Sequence, residues 1–105
     1  MLITWPVFTE AMYLLGDAGG WRAQRALWVL STRGDVEIIE LVGGMIGRTR
    51  YLMEKYSDTP MALADASLVA AAERLGVKRI FTLDSDFDVY RFRGRQRFER
   101  LPREP

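Results

Sequence analysis

The period of the apolar positions changes several times along the chain, and each change marks an expected element. Leu2–Trp5 is a short β-branched and aromatic run ended by Pro6, which reads as a strand. Pro6 suits the first turn of a helix, and the spacing predicts one over Val7–Leu15, stopped at Gly16, with a turn at Asp17–Gly20. Trp21–Thr32 predicts a second helix, with Ala26, Leu27, Val29 and Leu30 apolar and Arg22 and Arg25 outward. Gly34-Asp35 breaks it ahead of a strand-length run, Val36–Leu41. Gly44–Tyr56 places Met45, Thr49, Leu52, Met53 and Tyr56 at helical spacing.

In the loop Ser57-Asp58-Thr59-Pro60, Thr59 and Pro60 suit the cap and first residue of the next helix. That helix, Met61–Leu75, is rich in Ala and Leu and closed by Gly76. Arg79–Leu83 is a strand of the buried type, and the tail Tyr90–Leu101 alternates aromatic and Arg residues as a final strand would. Helices set between strands predict an α/β fold with a parallel sheet. At 105 residues there is room for one domain, 1–105, and no second core.

Composition narrows the chemistry. The sequence has no Cys and no His, which excludes disulfides, thiolate or imidazole metal sites, thiol nucleophiles and serine triads. Hydrolysis on this chain must therefore use carboxylates, bound metal, lysine or hydroxyls. The formal net charge of +1 hides a division. Residues 1–89 carry nine basic and twelve acidic groups, whereas residues 90–105 carry six Arg, including Arg91, Arg93, Arg95 and Arg97, against two Glu. Arg suits bidentate phosphate contacts, so an acidic body with a basic edge can hold metal and polyanion side by side. The same run also fits a solvated terminal strand. No segment approaches the ~20 apolar residues that cross a bilayer, and the start lacks a signal-peptide pattern. A cytoplasmic location without a membrane partner is expected.

Acids on apolar faces are the informative ones, because a buried carboxylate is costly without a partner or metal. Asp65 shares a helical face with Leu68, Val69 and Ala72, and Glu10 shares one with Val7, Tyr13 and Leu14. Glu54 and Glu73 adjoin Lys55 and Arg74 and read as ordinary solvated charges. Asp84 and Asp86 follow the strand Ile80–Leu83 at its C-terminal end, the edge where ligand sites gather in open α/β sheets. Glu10, Asp65, Asp84 and Asp86 could converge there, as oxygen ligands suited to Mg²⁺ or Mn²⁺. Each acid taken singly also fits a salt bridge to one of the 13 arginines or a helix cap.

Three other motifs fail on their own residues. Asp84-Ser85-Asp86-Phe87-Asp88 opens like a calcium loop, but Val89 stands where Gly is needed and Arg95 where Glu is needed. It also resembles a haloacid-dehalogenase nucleophile, yet Asp88 replaces Thr or Val and too little chain follows. Gly43-Gly44-Met45-Ile46-Gly47 lacks the full glycine spacing of a nucleotide loop.

Three segments together resemble the PIN-domain family of VapC-like toxins and related ribonucleases. They are Thr9-Glu10-Ala11, Leu63-Ala64-Asp65-Ala66-Ser67-Leu68-Val69, and Ile80-Phe81-Thr82-Leu83-Asp84-Ser85-Asp86-Phe87. The resemblance implies a three-layer α/β fold, a parallel sheet with flanking helices. It also implies a Mg²⁺- or Mn²⁺-dependent endoribonuclease acting on RNA, homodimeric and held by a cognate antitoxin. Glu10, Asp65 and Asp84 match the family's metal-site acids, Asp86 is an added or alternative acid, and the resemblance implies a role for Ser67 and Thr82, which fall within the motifs, in orienting the acids or a water. Arg91, Arg93, Arg95 and Arg97 are the candidate RNA contacts. The chain opens at what resembles the family's second strand, so the resemblance implies an N-terminally truncated unit whose first, central strand is missing. A truncated reading frame, a degenerate copy or a strand from a partner chain would each produce that pattern. Loss of that strand would part Leu2–Trp5 from Arg79–Leu83 unless the two pair directly, and would weaken catalysis.

Two other classes use different features. A non-catalytic module would pair the helices Val7–Leu15 and Trp21–Thr32 with a second copy or an antitoxin, using Trp21 and Trp28 on one helical face, a stripe that also fits a core. A general RNA-binding domain would rely on the Arg-rich tail.

Overall fold

A computed structural model describes residues 1–58, 61–83, 90–94 and 96–102. Strand β1 (Leu2–Thr4) runs straight into helix α1 (Trp5–Thr32), followed by β2 (Glu37–Ile39), α2 (Gly44–Lys55), α3 (Leu63–Leu75) and β3 (Arg79–Phe81). The tail adds β4 (Arg91–Phe92), β5 (Gln96–Arg97) and β6 (Glu99–Leu101). Four strands form a parallel sheet in the order β2-β1-β3-β6, with β4 and β5 as a separate antiparallel pair. The expected α/β fold with a parallel, helix-flanked sheet is present. The expected single tail strand is instead a hairpin followed by a sheet strand. Arg93 and Gly94 take left-handed φ angles of 51° and 76° at the bend.

β1 is interior to the sheet. Leu2, Ile3 and Thr4 are all buried, and since successive strand residues point to opposite faces, both faces are covered. β1 and β3 pair directly, Leu2 opposite Ile80, the alternative under which the two strands stay together. Beyond β3, the Thr82 amide donates to the Leu101 carbonyl at 2.9 Å, and Arg79 meets Glu99 at 3.1 Å.

The first two expected helices are one helical run with a break at Gly20, not at Gly16. Gly20 has φ 64° and ψ −154°, a conformation that suits only glycine. The chain folds back there. Phe8 meets Trp28 edge-on at 4.8 Å, and the Gln24 amide donates to the Met12 carbonyl at 3.0 Å. Gly16 lies where these limbs approach: a Cβ there would come within 2.6 Å of the Gln24 amide nitrogen. It is a close-packing glycine inside a helix rather than a stop.

Helix α3 starts at Leu63 instead of Met61, and its N-cap, Ala62, makes no side-chain cap. Thr59 and Pro60, expected to cap it, lie outside the described residues. Every residue from Ala64 to Ala72 is buried, because α3 packs against α1, α2, β1, β3 and β4 together. Gly76 closes it in the left-handed conformation.

Glu73 is not the solvated charge its neighbours in sequence suggested. Its side chain keeps 10% of its surface and receives Arg48 from α2 at 2.8 and 3.3 Å. The Arg93 amide donates to the same carboxylate at 2.8 Å, and the Arg93 guanidinium donates to the Glu73 carbonyl at 3.0 Å. One carboxylate therefore ties α2, α3 and the tail hairpin. The hydrogen bond to Glu73 raises the Arg48 pKa above an ordinary arginine's, against a smaller opposing effect of burial. A raised pKa on a cation means that its contribution to stability is lost, on the alkaline side, only as pH rises through the arginine's own titration. Tyr56 and Tyr90, edge-on at 5.4 Å, make a second tie between the end of α2 and the tail.

Two stability outcomes follow. Gly20→Ala forces a Cβ into a glycine-only conformation and is expected to cost about 1–3 kcal/mol in urea unfolding. Glu73→Gln removes the charge shared by three elements, with an expected loss of about 1–3 kcal/mol. That loss lies toward the lower bound because Arg48 keeps 38% of its side-chain surface in water.

Candidate functional site

A cleft of about 230 Å³ opens beside the C-terminal end of β3, between α1 and α3. Val7, Ala11 and Ala64 form apolar wall, Leu14 and Leu83 also line it, and the polar groups are Glu10, Asp65 and Thr82. Residues from three separate segments thus meet in one concavity. The local reason lies in the helices. Val7 and Ala11 bury one side of α1, and Glu10 sits next to that side, where the helix surface passes from core to solvent. Asp65 falls in the first turn of α3, where unpaired N–H groups and the helix dipole favour an anion.

The two acids differ in setting. Asp65 is 4% exposed and Glu10 is exposed. The expected face of Val7, Glu10, Tyr13 and Leu14 is therefore split: Val7 is buried, whereas Tyr13 and Leu14 lie open to solvent at 70% and 44%. Glu10 stands at the rim of the cleft and Asp65 is set into its wall. By contrast, the face Asp65 shares with Leu68, Val69 and Ala72 is buried throughout.

Ser67 and Thr82 are both buried. Ser67 Oγ donates to the Ala64 carbonyl at 2.6 Å and lies 2.7 Å from Thr4 Oγ1. Thr82 lines the cleft directly. Among the described residues, no buried side-chain nitrogen or oxygen is left without a hydrogen-bond partner. Thr4, buried behind the cleft wall and joined to Ser67, is a residue that sequence reasoning missed. The signal was a hydroxyl inside an otherwise apolar strand-length run, Leu2–Trp5.

Asp84 and Asp86 lie outside the described residues; Leu83, which lines the cleft, is the residue before them in the chain. Among the described residues, no group of three or more acids gathers closely enough to hold a metal ion. Of the four candidate arginines, Arg91 is described by its backbone in β4 and Arg95 lies outside the described residues. Arg93 braces Glu73, and Arg97 is exposed on β5. Trp21 is 62% exposed, while Trp28 packs its ring on Phe8 and remains partly open. Among the described residues, no helix is long and apolar enough to cross a membrane.

No family model matches the sequence, and no curated protein matches it at a significant level. Among solved structures, the chain is similar to the crystal structure of VapC20 from Mycobacterium tuberculosis, a toxin that cleaves the sarcin–ricin loop. The TM-score is 0.69 at 18% identity, over 84% of this chain and 68% of the other. The two proteins share a fold, and the PIN-like α/β architecture implied by the acidic motifs is the one this chain adopts.

Proposed function

We propose that this chain is a metal-dependent endoribonuclease of the VapC toxin type, hydrolysing RNA phosphodiesters at the cleft between α1 and α3. The observation that carries the reading is the meeting of Glu10 and Asp65, 55 residues apart in the chain, in one cleft of a VapC20-like fold. The donor set fits a hard cation. Mg²⁺ binds through one or two carboxylates and completes its shell with water and phosphate oxygens, and Mn²⁺ accepts the same ligands. Glu10 and Asp65 are the described residues that would hold it, with Asp84 and Asp86 as the further acids in this reading. When bound, a divalent ion supplies a water of lowered pKa and offsets phosphate charge.

The chain's own residues divide the remaining work. Asp65, buried in the wall, would hold its carboxyl group at a fixed place in the cleft. Glu10, exposed at the rim, would act as a ligand or, through a water, as the base that takes the attacking water's proton as the water oxygen bonds to phosphorus. The phosphorus–oxygen bond to the leaving nucleotide then breaks, and its oxygen takes a proton from solvent. Thr82 offers a hydroxyl at the end of β3. Arg97, exposed on the tail hairpin, adds positive charge for the RNA backbone, and Arg91, Arg93 and Arg95 complete the proposed basic edge. Arg93 serves there beside its structural bond to Glu73. A cognate antitoxin and a cytoplasmic setting belong to the same reading.

The exposed aromatic residues of α1 favour a second reading, a non-catalytic module that binds a partner. Tyr13 and Trp21 leave most of their surface in water, and large exposed apolar groups mark interaction faces. A homodimer or an antitoxin complex would cover them.

For the nuclease, Mn²⁺-dependent cleavage of RNA by the purified chain is expected to fall by about 100-fold or more in Asp65→Asn. Cleavage that Asp65→Asn leaves unchanged removes Asp65 from the site. For the second reading, light scattering is expected to give a mass above the 12.1 kDa of one chain, reduced by Trp21→Arg. A mass of one chain at every concentration rejects the homodimer.

A further inference from the structure

Thr4 occupies the N-cap of α1, in the extended conformation that residue normally takes, yet its side chain makes no cap hydrogen bond. Threonine there ordinarily turns its oxygen onto the first free amides of the helix. Here the hydroxyl is used elsewhere. It is fully buried and lies 2.7 Å from Ser67 Oγ, 63 residues away. Proton counting sets the direction of that bond. Ser67 has one hydroxyl hydrogen, and it goes to the Ala64 carbonyl at 2.6 Å, which can only accept. Thr4 Oγ1 is therefore the donor to Ser67 Oγ.

The bond joins two particular places. Thr4 is the last residue of β1 and the hinge into α1, which bears Glu10. Ser67 and Ala64 belong to the first turns of α3, on either side of Asp65. A buried chain of two hydrogen bonds thus runs from the root of one acid-bearing helix to the acid-bearing turn of the other. We propose that Thr4 is a positioning residue: by donating to Ser67 it sets the first turn of α3 against α1, and so fixes Asp65 relative to Glu10 across the cleft. This rests on the nuclease reading for its catalytic consequence, but the mechanical link between Thr4 and the Asp65 turn does not.

The chemistry also explains why threonine suits the position. A strand residue with both faces of its sheet covered has no water to satisfy a hydroxyl. Valine fits the same volume without that requirement. A threonine here is tolerated because Ser67 accepts its proton, and Ser67 is tolerated because it has both a donor and an acceptor partner. The pair stands or falls together.

The test compares Thr4→Val, which removes the donor at similar volume and no existing cap, with Thr4→Ser, which keeps it. Ser67→Ala approaches the link from the other side. Amide hydrogen exchange, which requires neither metal nor RNA, reads the turn directly through Ala66, whose amide donates to the Ala62 carbonyl at 3.0 Å. Exchange at Ala66–Leu68 is expected to rise about tenfold in Thr4→Val and in Ser67→Ala, with Ala70–Leu75 unchanged and Thr4→Ser at parental rates. The double variant is expected to be no worse than either single one. In Mn²⁺-dependent RNA cleavage, Thr4→Val is expected to lower kcat about tenfold at unchanged KM, and Thr4→Ser to restore it.

Unchanged exchange in both donor and acceptor variants overturns the proposal, as does a Thr4→Ser variant that behaves like Thr4→Val. Parental kcat in Thr4→Val, where the parent cleaves RNA, overturns it too. Exchange that responds as expected in a parent chain that cleaves no RNA upholds the link and rejects only the nuclease reading.

Discussion

Helix α3 has no solvent face from Ala64 to Ala72, and most of the architecture follows from that burial. A helix enclosed on all sides must let several neighbours come close, which explains the run of alanines among Leu68 and Val69. Its backbone amides and carbonyls are paired within the helix, so enclosing it leaves only side chains and ends to satisfy. Two polar side chains, Asp65 and Ser67, enter the enclosure at its N-terminal end. Glu73 leaves it at the other end and receives Arg48 and the Arg93 amide. The sheet, the folded-back α1, α2 and the tail hairpin are all arranged about this one helix.

That arrangement gives the two ends of α3 different characters. At the C-terminal end a carboxylate is saturated by an arginine and a backbone amide, and its work is structural. At the N-terminal end a carboxylate lines an open cleft beside a second, exposed acid. Burial of Asp65 fixes its position, and the rim position of Glu10 leaves that carboxylate in contact with water.

Much of this was legible in the residues. The parallel α/β order, the helix over Gly44–Lys55, its successor closed by Gly76 and the strand at Arg79–Phe81 all lie close to where periodicity and glycine placement set them. Burial of Asp65 was legible too, because Leu68, Val69 and Ala72 share its face. The helix stop at Gly16 and the turn beyond it were misread, because a glycine that ends a helix and one that admits a neighbouring limb look alike until the neighbour is seen. Glu73 was misread for a similar reason. Its sequence neighbour Arg74 suggested a solvated pair, but its partners, Arg48 and Arg93, are distant in the chain.

The sequence by itself determined that these residues bring no thiol or imidazole to any chemistry, and that Asp65 shares a helix face with Leu68, Val69 and Ala72, since that depends only on local spacing. Tertiary structure alone decided that Glu10 and Asp65 share a cleft, that β1 pairs directly with β3, and that Thr4 gives its proton to Ser67 rather than capping its own helix. Each of these joins residues far apart in the chain. Periodicity describes one element at a time, whereas contacts between elements are settled only when the whole core packs.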